Sequence, residues 1–399
     1  MDILSNRVKS MAVSATIAMA QKAREIKAQG ADVISLSLGE PDFKTPEHIQ
    51  VAAKDAIDSG DYFTYTPVPG YQDLREAIAE KLKRENGIDA TAENIVVSTG
   101  AKHSIANVFQ CIINEGDEVI IYSPFWVSYP EMVGVAGGKS VFIDAGIEKD
   151  FKATADQLEA TITPKTKAII FSSPCNPTGA VFSKEELQAI ADVVTKHDNI
   201  VVIADEIYEY INFTGQHCSI ATLPGMAERT VTVNGLSKGH AMTGWRIGYI
   251  CAPEFIAKAC SKLQGQFTSG TNSIAQRAAL AALTGDTEPT KKMAEAYHHR
   301  RSMVYELLSE IPGMNLNMPE GAFYFFPDVS DFFGKKTPAG EEIKDANDLS
   351  MYLLTETHVS TVSGAAFGSP NCLRLSYAAS EEQLREAIRR MKAGLAQLA

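Results

Sequence analysis

The residue with the clearest chemical potential is Lys238, which lies in a turn between two short apolar stretches. The surrounding segment, 231–249, also contributes glycines, one serine and one arginine. Loops at strand ends are where α/β folds place binding and catalytic groups. Burial lowers the pKa of a lysine, and the neutral amine is a nucleophile toward carbonyl groups. Most lysines in turns are solvated, so a chemical role for Lys238 depends on what the rest of the chain places around it.

A second candidate is Asp205, which directly follows the apolar run 200–204. A carboxylate at the end of a buried strand needs a partner, and a cation, a metal ion or a protonated heteroaromatic nitrogen would serve. A metal is the weaker choice, because the only nearby ligand is Glu206 and strand alternation sends it to the opposite face. Tyr208, three residues beyond Asp205, could reach the same site.

The segment 98–104, Ser-Thr-Gly-Ala-Lys-His-Ser, joins a predicted strand to a predicted helix. Free N–H groups at such a helix start can bind an anion, and phosphate is the usual occupant. The spacing is neither that of a P-loop nor that of a dinucleotide-binding G-x-G-x-x-G motif. Taken alone, ordinary helix capping is the commoner explanation of a Thr-Gly entry.

An asparagine and two arginines complete the candidates. Asn176 lies between Pro174 and Pro177, where either X-Pro bond could be cis and the amide would be held rigidly; an ordinary Asn-Pro turn is the alternative. Arg246 and Arg374 adjoin apolar residues in predicted strands. A buried arginine requires a paired anion, whereas one at a sheet edge can place its guanidinium in solvent.

Short apolar strands alternate with helices in the first two thirds of the chain. The predicted strands are 95–98, 118–122, 139–143, 167–172, 200–204, 229–234 and 246–250, and the intervening helices are 100–113, 125–136, 155–162 and 183–197. This alternation predicts an α/β fold with a mostly parallel seven-stranded sheet that carries helices on both faces.

The pattern changes after Pro253. Long helical stretches are predicted at 255–284 and 291–309, followed by a mixture of strands (322–326, 359–362, 372–377) and helices (348–357, 381–398). We therefore predict a large cofactor-binding α/β domain at 45–290. The N-terminal segment has no core of its own, so we assign 1–44 together with 291–399 to a smaller α+β domain.

Composition excludes several classes of function. The net charge of −12 without a basic cluster argues against nucleic-acid binding, and no apolar run approaches the length of a membrane span. The six cysteines are scattered without a C-x-x-C pair, which favours free thiols in a reducing compartment. The N-terminal residues lack the apolar core of a signal peptide, and we expect a cytoplasmic protein.

Together these residues resemble the class I aminotransferases of the pyridoxal-phosphate fold type I. The similarity runs nearly end to end, and it is strongest to the bacterial aspartate aminotransferases that use a lysine for the side-chain carboxylate of the substrate. The segments that carry it are 37–43 (Ser-Leu-Gly-Glu-Pro-Asp-Phe), Tyr65, 98–102, Trp126, 176–179 (Asn-Pro-Thr-Gly), 205–208 (Asp-Glu-Ile-Tyr), 237–246 (Ser-Lys-Gly-His-Ala-Met-Thr-Gly-Trp-Arg) and Arg374.

The resemblance implies pyridoxal 5′-phosphate as cofactor, no metal, and three catalytic residues. Lys238 would bond to the cofactor aldehyde and later move the substrate proton. Asp205 would pair with the pyridinium nitrogen, and Tyr208 with Asn176 would hydrogen-bond the phenolate oxygen of the ring. Trp126 would stack on the ring and border the substrate.

The resemblance also implies how the phosphate and the subunits are arranged. Gly100, Ala101, Ser237 and Arg246 would hold the phosphate. Tyr65 would reach the phosphate of the neighbouring subunit, so the active form would be a homodimer with shared active sites.

For the substrate, the resemblance implies two carboxylate contacts. Arg374 would bind the α-carboxylate, with Gly39 and Asn176 nearby. Lys102, on the phosphate-binding helix and beside the cofactor, would bind the distal carboxylate. The implied reaction moves the amino group of L-aspartate to 2-oxoglutarate by a ping-pong mechanism.

Alternatives remain at this stage. A prephenate or aromatic aminotransferase, or a β-lyase, would use the same cofactor, and a non-catalytic ligand-binding relative would belong to another class. The chain also departs from the family at Gly239 and His240, where alanine and phenylalanine are common. This difference is either a tolerated turn variant or a change in polarity behind the cofactor.

Overall fold

The computed structural model describes residues 3–399. Its strands are β1 (Ile34–Ser35), β2 (Ile95–Ser98), β3 (Glu118–Ser123), β4 (Lys139–Asp144), β5 (Thr166–Ser172), β6 (Val201–Asp205), β7 (Thr230–Gly235), β8 (Gly248–Cys251), β9 (Tyr324–Phe325), β10 (Val359–Ser360), β11 (Val362–Ser363) and β12 (Leu373–Ser376). Its α-helices are α1 (Asn6–Lys9), α2 (Ala15–Ala28), α3 (Glu47–Ser59), α4 (Gln72–Lys81), α5 (Ala101–Ile112), α6 (Tyr129–Val135), α7 (Ala155–Thr161), α8 (Lys184–Val194), α9 (Glu254–Phe267), α10 (Ser273–Thr284), α11 (Glu288–Ser309), α12 (Ala346–Glu356) and α13 (Glu381–Leu395).

The central sheet has seven strands in the order β2–β8–β7–β6–β5–β3–β4. Strand β8 runs antiparallel to both of its neighbours, and the other pairs are parallel. The predicted α/β fold with a mostly parallel seven-stranded sheet is therefore confirmed. Because parallel strands share a direction, the carboxyl ends of β5, β6 and β7 meet at one edge.

Alternate side chains of the strands bury opposite faces of the sheet. Val119, Ile121 and Ile170 pack beneath α5, α6 and α9. The neighbouring Ile120 and Ile169 pack on the other side against α7 and α8. Except for the edge strand β4, which is partly exposed, the strands of this sheet are buried on both faces. This explains why the sequence shows continuous apolar runs rather than alternation.

A second apolar cluster brings the N-terminal segment to the C-terminal elements. It contains Ile34 and Leu36, residues of α11, α12 and α13, and the strand residues Tyr324 and Phe325. Two small sheets lie here: β1 pairs with β10, and β11–β12–β9 form an antiparallel sheet. The predicted association of the N-terminal segment with the C-terminal elements is observed.

Three predicted elements were wrong in detail. The stretch 255–284 is two helices, α9 and α10, with a break between them. The side chain of Asn272 accepts a 2.8 Å hydrogen bond from the N–H of Ala275 and so caps the start of α10. The stretch 359–362 contributes to two strands that belong to different sheets. Arg246 lies before β8 rather than inside a strand, with a left-handed backbone (φ 57°).

In the described part of the chain, no helix combines the length and the apolar character needed to cross a membrane.

Candidate active site

A cavity of about 670 Å³ opens where the carboxyl ends of the central strands meet the start of α5 and the C-terminal elements. Eleven of the thirteen predicted site residues line it: Gly39, Ala101, Lys102, Trp126, Asn176, Asp205, Tyr208, Ser237, Lys238, Arg246 and Arg374. Gly100 lies directly against Arg246 at its rim. Tyr65 is different, because its side chain is 97% exposed and does not line the cavity within this chain.

Lys238 reaches the cavity from the turn that follows β7. Its Nζ donates a hydrogen bond to the carbonyl oxygen of Gly39 and lies 5.6 Å from the centre of the Tyr208 ring. Burial lowers the pKa of Lys238 to about 8; Glu40 opposes this shift and Arg374 reinforces it. About one tenth of the amine is then neutral at pH 7, which makes Lys238 a usable nucleophile toward an aldehyde.

Asp205 is the last residue of β6 and is buried. Its Oδ2 accepts a hydrogen bond from the hydroxyl of Tyr129 at 2.7 Å, and its Oδ1 accepts one from the N–H of Ile207 at 3.3 Å. Burial raises the pKa of Asp205 to about 6, although both hydrogen bonds act to lower it. No ion pair reaches this carboxylate within residues 3–399, so it fits the protonated ring nitrogen of the expected cofactor.

Aromatic groups surround the space beside Asp205. The hydroxyls of Tyr208 and Tyr324 are 2.7 Å apart, and the rings of Trp126 and Tyr129 meet edge to face with centroids 5.5 Å apart. The Nζ of Lys102 lies 4.9 Å from the centre of the Trp126 ring. Flat surfaces and a hydroxyl next to a buried carboxylate are suited to a planar heteroaromatic ring.

The start of α5 provides an anion site. Gly100 precedes the helix with φ 85°, and a Cβ at this position would collide with the guanidinium of Arg246. A Cβ at Gly248 would collide with the backbone of 100–101. The glycines therefore let the guanidinium of Arg246 approach the free N–H groups of the helix. Arg246 is exposed and donates a 2.8 Å hydrogen bond to the carbonyl oxygen of Thr243. Together with Ser237, this arrangement fits a phosphate.

Arg374, in β12, is buried, which is the first of the two positions that the sequence left open for it. Its Nη1 donates to Oδ1 of Asn176 at 2.9 Å and its Nη2 to the carbonyl oxygen of Ser37 at 2.6 Å. Its Nε has no partner, and no carboxylate pairs with the guanidinium in the described part of the chain. A buried guanidinium without an anion is prepared to bind a carboxylate that enters the cavity.

The cavity is positive although the protein is acidic. Four cationic side chains line it (Lys102, Lys238, Arg246, Arg374) against two anionic ones (Glu40, Asp205), whereas the net charge of the whole chain is −12. Burial lowers the pKa of Lys102, and the charge of Arg246 contributes to the shift. Such a cavity attracts small anions and holds them through several separate cationic groups.

The sequence analysis missed two groups that contact the predicted ones. Tyr129 donates to Asp205, and Tyr324 shares a hydrogen bond with Tyr208. Tyr129 lies three residues after Trp126, a helical spacing that could have drawn attention to it. Tyr324 lies in a predicted strand, but nothing in the sequence connects that strand to Tyr208, 116 residues earlier.

The family described as "Aminotransferase class I and II" matches residues 31–391. An aspartate aminotransferase of Bacillus subtilis (strain 168) is 47% identical over 391 residues, which are 98% of each chain. An aspartate/prephenate aminotransferase of Cereibacter sphaeroides is 46% identical over 396 residues and likewise covers 98% of both.

Solved structures give the same result. The crystal structure of the aspartate aminotransferase from Rhizobium meliloti matches with a TM-score of 0.96 at 41% identity and covers 99% of both chains. The Thermus thermophilus aspartate aminotransferase with maleate matches with a TM-score of 0.91 at 42% identity and covers 98% of this chain and all of the other.

Proposed function

Because the chain belongs to the class I and II aminotransferases, a pyridoxal-phosphate-dependent group, we propose that it transfers the amino group of L-aspartate to 2-oxoglutarate. The products are oxaloacetate and L-glutamate, formed in two half-reactions of a ping-pong cycle. The observation that carries this proposal is the pair of cations, Arg374 and Lys102, in the same cavity as Lys238 and Asp205. Two separate cations match the two carboxylates of aspartate, glutamate and their oxo acids.

The residues of this chain have distinct tasks in the proposed reaction. The cofactor, when bound, supplies an aldehyde that accepts the amino group and a ring that withdraws electrons from the substrate Cα. Asp205 would keep a proton on the ring nitrogen, because this buried carboxylate accepts hydrogen bonds from Tyr129 and the N–H of Ile207 but has no ion-pair partner within residues 3–399. Lys238 holds and moves the Cα proton at its Nζ, which requires the neutral amine that burial favours.

Arg374 orients the substrate. Its guanidinium is fixed by Asn176 and by the carbonyl oxygen of Ser37, and it packs 4.6 Å from the Tyr324 ring. A carboxylate that binds there has one allowed direction, because the guanidinium fork is planar. Lys102 then binds the distal carboxylate as a flexible point charge.

We include in this proposal a homodimer in which Tyr65 contacts the cofactor phosphate of the partner subunit. The support is that Tyr65 is almost fully exposed, with the nearby Phe63 70% exposed. Aromatic residues with this exposure are typical of surfaces that another chain covers.

The proposal also covers domain division and location. The domain limits 45–290, and 1–44 with 291–399, are supported by the apolar cluster that unites Ile34 and Leu36 with the C-terminal elements, although residues 207, 208 and 211 of the large domain also join it. A cytoplasmic location is supported by six cysteines that all stay free.

A second candidate is prephenate transamination. It is favoured by the Cereibacter sphaeroides relative, named for both aspartate and prephenate, and by the Rhizobium leguminosarum relative, named as a probable enzyme of the same kind. Lys102 suits either acceptor, because a single flexible ammonium discriminates less between acids than a bidentate arginine does.

The test is a panel of steady-state rates with aspartate, glutamate and arogenate as donors against 2-oxoglutarate, oxaloacetate and prephenate. We expect aspartate with 2-oxoglutarate to give the highest kcat/KM. A higher value with prephenate would support the second candidate. Release of ammonia and pyruvate without an acceptor, from an added donor that carries a leaving group at Cβ such as L-cystathionine, would identify a lyase. Lys238→Ala is the control: turnover must disappear, and a variant that keeps it would contradict the role of Lys238.

A further inference from the structure

A second group of buried polar and charged residues lies next to the turn that follows β6 (206–210) but outside the cavity. It consists of Lys81, Asn86, Glu206, Glu209 and His217, here named the ionic cluster. Glu206 and Glu209 directly follow Asp205 and Tyr208 in the sequence, yet neither lines the cavity.

Hydrogen bonds connect all members of the ionic cluster. The Lys81 ammonium binds Glu209 and donates to Oδ1 of Asn86 at 2.8 Å. The Asn86 amide donates to Oε2 of Glu209 at 2.6 Å and, through a long bond of 3.5 Å, to Oε2 of Glu206. Nε2 of His217 lies 2.9 Å from the same Glu206 oxygen. Lys81 is 1% exposed and Glu206 is 2% exposed, so these charges have left water and depend on one another.

A local change in helix geometry makes the contact between Lys81 and Asn86 possible. Helix α4 continues as a π-helical turn over Leu82–Asn86 and ends at Gly87, which has φ 71°. A π-helix brings residues five apart onto the same side, as Lys81 and Asn86 are. Such turns are frequent at functional sites, and this one serves the ionic cluster.

The ionic cluster does not need a metal ion. Ligand atoms of Glu206, Glu209 and His217 lie within 4.8 Å of one another, as in a cation site. However, the Lys81 ammonium already binds Glu209 and also lies 3.7 Å from the partly exposed carboxylate of Glu85. Burial lowers the pKa of His217, but the charge of Glu206 and the hydrogen bond to it reverse this shift, so the pKa is raised overall. Each buried carboxylate of the ionic cluster therefore has a basic side chain beside it.

The ionic cluster also reaches the backbone beside Lys238. The Lys81 ammonium lies 5.2 Å from the centre of the Tyr210 ring, and that ring meets His240 edge to face at 5.2 Å. A Cβ at Gly239 would overlap the Tyr210 ring, so glycine is needed for this close approach. Gly239 and His240, the two departures from the family pattern, therefore pack against Tyr210, two residues after Tyr208.

We propose that Lys81 and Glu209 are positioning residues for the cofactor, an inference that rests on the proposed function. The ionic cluster holds the turn 205–208 from behind and, through Tyr210, holds the backbone at 238–240. The distance between Asp205 and Lys238 is thereby fixed before the cofactor binds. Neither Lys81 nor Glu209 touches the cavity, so both act through other residues.

The test compares cofactor binding in wild type, Glu209→Gln and the paired variant Lys81→Met/Glu209→Met. Two quantities are measured: the dissociation constant of pyridoxal 5′-phosphate, from the change in tryptophan fluorescence, and the pH midpoint of the visible absorbance of the loaded protein. We expect binding to weaken about 10- to 100-fold, as for other groups that orient ligand-contacting residues. For Glu209→Gln we also expect the pH midpoint to move, because one negative charge behind Asp205 is lost; the paired variant removes one charge of each sign and should move the midpoint less.

The paired variant keeps the proposal testable if Glu209→Gln fails to fold. It removes both charges together, so no buried charge is left alone, and it still loses the hydrogen bonds that hold the turn. Leu354→Ala is the stability control, because Leu354 is fully buried in a separate apolar cluster with Ala23 and Val33.

The outcomes are distinct. Leu354→Ala should lower the thermal midpoint and leave the dissociation constant and the pH midpoint unchanged. The proposal would be overturned if Glu209→Gln and the paired variant both kept the wild-type dissociation constant and the wild-type pH midpoint. No amino acid substrate is present in these measurements, so an error in the proposed substrate would not affect them. Wild-type protein that fails to bind pyridoxal 5′-phosphate would overturn this proposal and the proposed function together.

Discussion

Asp205 and Glu206 are adjacent buried carboxylates with opposite surroundings. Asp205 faces the cavity, accepts hydrogen bonds from the neutral donors Tyr129 and Ile207, and has a pKa that burial raises to about 6. Glu206 faces the ionic cluster and contacts His217 and Asn86. The same contrast holds for the cations, since Lys81 binds Glu209 whereas Arg374 has no carboxylate partner among residues 3–399.

The contrast separates charges that hold the fold from charges that await a ligand. A buried charge without a counter-ion destabilises the folded protein until a ligand supplies one. In the ionic cluster, each buried carboxylate has a basic side chain beside it, so the cluster can act as a rigid support. The two sets share one turn, so the support lies directly behind the groups that it positions.

The largest effect on activity is expected from Asp205→Asn. Loss of the carboxylate should lower kcat roughly 100- to 1000-fold, the range for removal of a preorganised electrostatic group. The cofactor-free variant should nevertheless be more stable than wild type. The folded pKa is raised, so ionisation of Asp205 costs stability as the pH rises from about 4 to about 6, and the cost is complete above that window.

Urea unfolding of the two cofactor-free proteins checks this prediction. We expect the variant to gain up to about 3 kcal/mol at pH 7 and nothing at pH 4. If the variant and wild type have equal free energies of unfolding at pH 7 as well as at pH 4, Asp205 has a counter-ion in the folded chain, and the contrast with Glu206 fails.

An intermediate effect is expected from Lys102→Ala. Loss of the charge-assisted contact with the distal carboxylate should raise the KM for aspartate about 10- to 100-fold. L-Alanine is the internal control, because it has no distal carboxylate and its KM should change little. A similar rise for both amino acids would remove Lys102 from the proposed dicarboxylate site.

The smallest effect on turnover is expected from His240→Phe, which restores the residue type common in the family. Burial lowers the pKa of His240 to about 4, so the folded protein favours the neutral ring. That contribution to stability is complete above about pH 6.5 and is lost as the pH falls toward 4. Between pH 7 and pH 5, the free energy of unfolding of wild type should therefore fall by about 2 kcal/mol more than that of the variant.

The measurement for His240→Phe is urea unfolding at the two pH values, with kcat at pH 7.5 as a second readout. We expect kcat to stay within about twofold, because His240 does not line the cavity. If wild type and variant lose stability in parallel, the His240 ring is not held neutral by the fold.

Much of the architecture could be predicted from local patterns. The strand 95–98 was predicted with its observed limits, and the strand before Lys238 lies beside β6 as expected. The predicted opposite directions of Asp205 and Glu206 are also observed, since alternation along a strand is a local property. Ser173–Pro174 is one of the two bonds predicted as possible cis peptides, and it is cis.

The break between α9 and α10 had a local signal that the prediction overlooked, because the run 268–273 (Thr-Ser-Gly-Thr-Asn-Ser) contains a glycine and the cap residue Asn272. Other features had no local signal. The ionic cluster joins Lys81 to Glu209, 128 residues later, and the sequence around either residue resembles a solvated helix or turn. Tyr129 and Tyr324 were missed for the same reason, because their partners come from distant elements.

The sequence by itself determined the type of chemistry and the order of the elements. Lysine, aspartate and arginine at the ends of apolar strands, in the spacing of the family, define the groups that meet the cofactor and the substrate. Tertiary structure decided which charges are paired. Arg374 meets the carbonyl oxygen of Ser37 across 337 residues, and Lys81 rather than a ligand neutralises Glu209. The free energy of a buried charge depends on its neighbours in space, and only the folded chain brings these together.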